Sequence, residues 1–130
     1  MLGGMAKDFH YIRVEDDGNG GTRMVDVDLD QQQATIAAGV PPVLVSAPLA
    51  ASGVVFVDAP EDLVDTEPHP APRLQFVVVL SGVVECETTD GDIRRISPGG
   101  VALAADTDGP GHITRVPDPP ARFLMIPLAE

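Results

Sequence analysis

The stretch "HPAPRLQFVVVLSGVVECETTDGDIRRISPGG", residues 69–100, is the part of the chain that best predicts the fold. Its apolar runs have the length of β-strands, and they are separated by the turn sequences "SG", "TDGD" and "SPGG". Aspartate and glycine tolerate the positive φ angles of tight hairpin turns. The stretch is therefore typical of short strands joined by tight turns.

The same pattern extends over the rest of the chain. Thirteen glycines and thirteen prolines divide the 130 residues at short intervals, and the runs between them have strand length. We predict strands at residues 9–14, 22–29, 43–47, 54–58, 74–81, 83–88, 92–96, 101–105, 112–116 and 122–128. Residues 29–39 form the only segment with the pattern of a helix, and it would be short. So many strands in one open sheet would leave long unpaired edges, which favours an all-β sandwich or closed barrel of the jelly-roll type.

Composition and charge limit the function classes. The chain is 44% hydrophobic and 22% charged, as is ordinary for one globular domain, here residues 1–130 with residues 1–8 as a flexible N-terminal segment. Residues 34–57 are apolar enough to span a membrane, but their prolines and glycines indicate two strands instead. A net charge of −12 repels the phosphates of nucleic acids and anionic lipid surfaces. We therefore expect no nucleic-acid or membrane partner.

The single cysteine, Cys86, excludes an internal disulfide and suits a reducing compartment. It shares strand parity with Val84, which indicates a buried thiol rather than a reactive nucleophile. The N-terminal residues show no apolar region of signal-peptide length. We expect a cytoplasmic protein.

Together with "AADTDGPGH", residues 104–112, the opening stretch resembles a small single-domain cupin of the RmlC-like family. The motifs that carry the resemblance lie in residues 67–128. The resemblance implies an all-β, cupin-type double-stranded β-helix, which is a jelly-roll barrel, with at most one short helix. It also implies a homodimer.

The first cupin signature is a glycine, five residues, His-X-His, three or four residues, Glu, six residues, and Gly. His69 matches the first histidine, Ala71 stands at the second, Gln75 stands at the glutamate, and Gly82 matches the final glycine. Leu63 stands in place of the leading glycine. The spacing is kept, but two of the three metal ligands in this motif are changed.

The second signature is a glycine, five residues, Pro-X-Gly, two residues, His, three residues, and Asn. Gly100 begins it, Asp106 stands at the proline, and His112 arrives one residue late. The asparagine is missing, because Val116 follows instead. His112 is the counterpart of the third cupin histidine.

Metal-binding cupins hold iron, manganese, nickel or zinc through three histidines and a carboxylate, since imidazole and carboxylate suit such ions. The resemblance implies His69, Gln75 and His112 as the metal set in this chain. Asp65 or Glu67, in the preceding acidic segment, is a candidate for the missing carboxylate, and the alternative is that these charges belong to a solvated loop. The alternative is a metal-free pair of histidines with hydrogen bonds to backbone and water.

We expect a small-molecule ligand inside the barrel, with His69, Gln75 and His112 as catalytic candidates at the polar end of an apolar pocket. If the protein is an enzyme, a histidine acts as general acid or base in an isomerisation or cyclisation, with no cofactor or a weakly held divalent metal. Arg73 can lie at the mouth and pair with an anionic substrate or with Asp106 or Asp108, and the alternative is a solvated arginine at the surface. A metal-dependent oxygenase and a non-catalytic ligand-binding module are the alternatives.

Overall fold

The segment Thr22–Asp30 shows how alternating side chains form the sheets of this protein. Thr22 and Met24 are buried, whereas Arg23, which lies between them, is exposed. Successive side chains of a strand point to opposite faces, so an alternating sequence is stable as a strand with one face on the core.

A computed structural model describes residues 8–117 and 119–129. The regular secondary structure within these ranges consists of β-strands, with no helix. Their bounds are β1 Asp8–Asp16, β2 Thr22–Asp30, β3 Gln32–Ala34, β4 Val43–Val45, β5 Val55–Ala59, β6 Gln75–Ser81, β7 Val84–Glu87, β8 Ile93–Ile96, β9 Val101–Ala105, β10 Ile113–Arg115 and β11 Ala121–Pro127. Each of the ten predicted strands is present. The segment predicted to be flexible was residues 1–8. Residues 1–7 lie outside the described residues, and Asp8 begins β1.

Residues 29–39, the only segment with the pattern of a helix, form no helix. β2 occupies the start of this segment, and β3 follows and pairs with β4 in antiparallel register. A helix of at most three turns is marginal unless it buries an apolar face, and Ile36 in this segment is 68% exposed. Pairing with β4 satisfies backbone groups of residues 32–34 instead.

The strands form three sheets. A six-stranded sheet has the order β2-β1-β9-β6-β11-β5, a three-stranded sheet has the order β10-β7-β8, and β3 pairs with β4. β1 and β9 are parallel, while the other paired strands are antiparallel. The core lies between the two larger sheets, because its buried residues come from both: Ala59, Val79, Val84, Ile96, Ala102, Val116 and Ala121.

The apolar stretch at residues 34–57 contains β4 and the start of β5, as its prolines and glycines predicted. Within the described ranges, no helix has the length and apolar character needed to cross a membrane.

Candidate functional site

A cavity of about 260 Å³ lies between the six-stranded and the three-stranded sheets. Its wall is mainly apolar, and its polar side chains belong to Asp65, His69, Gln75, His112 and Thr114. Small-molecule sites have this character, with an apolar lining and a few polar groups that orient the ligand. The three residues predicted from the motif spacing therefore lie at one cavity. Their chemical roles remain predictions.

His69 and His112 meet at the cavity because their backbones pair. The His69 N–H donates to the His112 carbonyl at 2.9 Å, and the His112 N–H donates to the His69 carbonyl at 3.1 Å. Gly111 permits this approach, since its φ is +84° and a Cβ there would lie 1.9 Å from the His69 carbonyl carbon. A side chain at residue 111 would separate the two histidines.

Asp65 reaches the cavity because the segment that carries it runs beside β10. The Asp65 N–H donates to the Thr114 carbonyl at 3.1 Å, and the Thr114 N–H donates to Asp65 Oδ2 at 3.1 Å. Glu67, the other candidate carboxylate, is exposed and lies outside the cavity lining. Of the two acidic residues that the sequence offered, Asp65 is the one at the site.

The polar group that the sequence reasoning missed is Asp106. Its side chain is fully buried, and its Oδ2 lies 2.5 Å from His112 Nδ1. A carboxylate that accepts the Nδ1 proton fixes the tautomer and leaves Nε2 free to accept a proton. Asp106 Oδ1 is buried and has no hydrogen-bond partner in the described part of the chain. A signal was present in the sequence, because a charged residue directly follows the buried strand β9.

Gln75 begins β6 and is 5% exposed. Its Nε2 donates to Met125 Sδ at 3.4 Å. A thioether is a weak acceptor, so a ligand oxygen would be a better partner for this amide. Gln75 is therefore suited to orienting a polar ligand group at the cavity.

The loop between β9 and β10 is fixed from two sides. Thr22, which is fully buried, donates its hydroxyl to the Gly111 carbonyl at 2.8 Å, and the same hydroxyl oxygen accepts the Thr89 N–H at 3.1 Å. Asp16 accepts the backbone N–H groups of Asp108 and Gly109 at 3.1 and 3.0 Å. These bonds hold the backbone that places His112.

Charges around the cavity are unbalanced. Among the described residues, the lining contains no lysine or arginine. Arg73 is exposed, lies outside the lining, and does not pair with Asp106 or Asp108. Arg73 is thus a surface arginine, which was one of the two alternatives that the sequence left open.

Cys86 lines the same cavity as a buried, neutral thiol. Burial, and then the negative charges of Asp106, Asp92 and Glu87, raises the pKa of Cys86 to about 12. A thiol with so high a pKa is a poor nucleophile near neutral pH, because only the thiolate reacts.

The donor set does not fit a metal centre. In residues 8–117 and 119–129, no three histidine, cysteine or acidic side chains are grouped so that they could hold an ion. His112 Nδ1 contacts Asp106, so Nε2 is the ring nitrogen that remains available, and Gln75 offers only a neutral oxygen. The metal role of His69, Gln75 and His112 remains a prediction from the motif.

Comparison with known proteins leaves the family open. No protein-family model and no curated protein match the chain. A solved structure, the conserved SPY1581 protein of unknown function from Streptococcus pyogenes, is similar at 21% sequence identity over 67% of this chain and 71% of that chain, with a TM-score of 0.46.

Proposed function

We propose that this protein binds a small molecule in its cavity and catalyses a proton transfer on it, as an isomerase or cyclase does. The observation that carries the proposal is the contact between His112 Nδ1 and the buried Asp106 carboxylate. An imidazole held by a carboxylate is suited to act as a general base and then as a general acid. The cavity supplies an apolar enclosure beside that imidazole.

The fold proposed for this function is the cupin-type jelly-roll barrel. This proposal is supported by the motif spacing, because the three residues that match the motifs, His69, Gln75 and His112, line one cavity between two sheets. The cytoplasmic location is part of the same proposal, supported by the single buried thiol of Cys86. The net charge of −12 supports the absence of a nucleic-acid partner.

The reaction needs no redox step. His112 Nε2 takes a proton from one atom of the ligand, and the imidazolium is stabilised by Asp106. The same nitrogen returns the proton to another ligand atom, which completes an isomerisation or a ring closure. Gln75 and His69 orient the ligand's polar group from the same cavity wall.

Deuterium exchange separates the enzyme from a non-catalytic binder. Binders found by ligand-observed NMR of a fragment library are incubated with the protein in D2O, and incorporation into their acidic C–H positions is measured. The proposal predicts incorporation that His112→Gln abolishes and that His10→Gln, at an exposed histidine on β1, leaves unchanged. Binding without incorporation would instead support the ligand-binding module.

Elemental analysis tests the metal-dependent alternative. The protein is purified without chelator beside the His69→Ala, His112→Ala double variant. The proposal predicts no stoichiometric metal in either sample. Stoichiometric iron, manganese, nickel or zinc that the double variant loses would support the oxygenase-type cupin.

The proposal includes a homodimer. β5 is an edge strand of the six-stranded sheet, and Val54, Val55 and Phe56 are 53%, 41% and 81% exposed. An exposed apolar edge strand is a ready site for pairing with a second chain. Sedimentation velocity should show a dimer that Phe56→Asp dissociates. A monomeric wild-type protein would contradict this part of the proposal.

A further inference from the structure

Asp65 is the lining carboxylate of the cavity, and the described residues give it no cationic partner. It is half-buried, and the described lysines, arginines and histidines form no ion pair with it. Taking a carboxylate out of water is costly unless a charge or several hydrogen bonds compensate it. The Thr114 N–H supplies one hydrogen bond, to Oδ2.

A second carboxylate, that of Asp106, contacts the cavity residue His112. Asp106 is fully buried, and its Oδ1 has no hydrogen-bond partner among the described residues. A protonated His112 would balance Asp106, since the two are in contact. It would leave Asp65 without a counter-charge.

Cys86 adds no charge to the cavity, because it is a neutral thiol. Burial and then the charge of Asp106 raise the pKa of this lining thiol to about 12. An anionic ligand would be repelled by the Asp65 carboxylate in this lining, whereas a cation would be attracted to it. Sites that bind anions contain arginine or lysine, which the described lining lacks.

The remainder of the wall is apolar, so the ligand's body is apolar as well. Its side chains are Val14, Pro70, Ala71, Pro72, Val77, Val84, Ile96, Ala102, Ala104, Phe123 and Met125. With a volume of about 260 Å³, the cavity takes a small molecule rather than a peptide or a nucleotide.

We infer that the ligand is a small apolar molecule with a single ammonium group, and that this group pairs with Asp65. The inference rests on the proposed function for the existence of a ligand, and it adds the ligand's chemical class. The ammonium supplies the positive charge that the described lining lacks, while the apolar body displaces water from the wall.

Three probes with the same skeleton test the inference: benzylamine, benzyl alcohol and benzoate, each titrated by NMR at pH 7. A charge-assisted hydrogen bond predicts that benzylammonium binds roughly 10- to 100-fold more tightly than benzyl alcohol. Benzoate should show no binding. Asp65→Asn should reduce benzylammonium binding to the level of the alcohol and leave alcohol binding unchanged, which also shows that the variant is folded. Asp62→Asn, at an exposed acid of the same segment, should change neither affinity.

Equal binding of the amine and the alcohol, tighter binding of benzoate, or an unchanged amine affinity in Asp65→Asn would overturn the inference. Alcohol binding without amine preference would reject the ligand class while leaving small-molecule binding intact. Failure of all three probes to bind would reject the class too. Deuterium exchange on the fragment binders would then decide separately on the proposed function.

Discussion

Gly111 lies directly against the backbone of His69. A Cβ at residue 111 would come within 1.9 Å of the His69 carbonyl carbon and 2.0 Å of its oxygen. The φ of +84° at Gly111 is also one that other residues rarely adopt. The distance between the two cavity histidines thus depends on a residue without a side chain.

Gly111→Ala should destabilise the protein by about 2–5 kcal/mol, because left-handed strain adds to a backbone clash. Urea unfolding measures the change. Gly20→Ala is the matched control, since Gly20 has a φ of +83° and nothing within 4 Å of the added Cβ. In that control the free energy of unfolding should fall only by the cost of the left-handed backbone strain, about 1 kcal/mol. Equal losses in the two variants would show that the contact with His69 does not constrain residue 111.

Much of the fold follows from local sequence. Turn residues and the alternation of apolar and polar side chains predicted ten strands, because both signals lie within a few neighbouring residues. β3 was missed because its stability comes from pairing with β4, which no local pattern of residues 29–39 reveals. The order of strands within the sheets was equally beyond local patterns, since β6 pairs with β9 and β11 rather than with its chain neighbours.

The site was predictable only in part. Motif spacing predicted His69, Gln75 and His112 as one set, and all three line one cavity, where backbone pairing joins His69 to His112. Asp106 was interpreted as a lost proline, and its contact with His112 depends on the path of the loop between them. The choice of Asp65 over Glu67 also depends on a loop, which sequence spacing does not determine.

Thr22→Val should cost about 1–3 kcal/mol of unfolding free energy, although it preserves the side chain's shape. The substitution leaves the buried Gly111 carbonyl without its present donor, and it also removes the acceptor of the Thr89 N–H. Urea unfolding of Thr107→Val, at an exposed threonine, provides the control and should change by less than about 0.5 kcal/mol. Equal effects at the two positions would contradict the role of Thr22 in holding the loop.

Cys86 should make stability fall at alkaline pH. Its pKa is raised from 9.0 to about 12 in the folded state, so the unfolded chain loses the thiol proton first as the pH rises. Stability from this group is complete below pH 9 and declines between pH 9 and 12, with a slope of up to about 1.4 kcal/mol per pH unit. Urea unfolding across this range should give a steeper decline for the wild type than for Cys86→Ala, in which the thiol is absent and the other titrating groups are unchanged. Parallel curves would show that the thiol titrates normally in the folded protein.

Asp106→Asn should keep the shape of the buried site while removing the charge that holds the His112 tautomer. An amide NH2 in place of the carboxylate oxygen would favour the tautomer protonated at Nε2, which cannot accept a ligand proton there. Nitrogen-15 NMR of the imidazole should show this change, and deuterium incorporation into bound fragments should fall by about 10²- to 10⁴-fold. Asp108→Asn, at an exposed position in the same loop, should change neither quantity. Undiminished incorporation with an altered tautomer would remove His112 from the proton-transfer step and direct attention to His69.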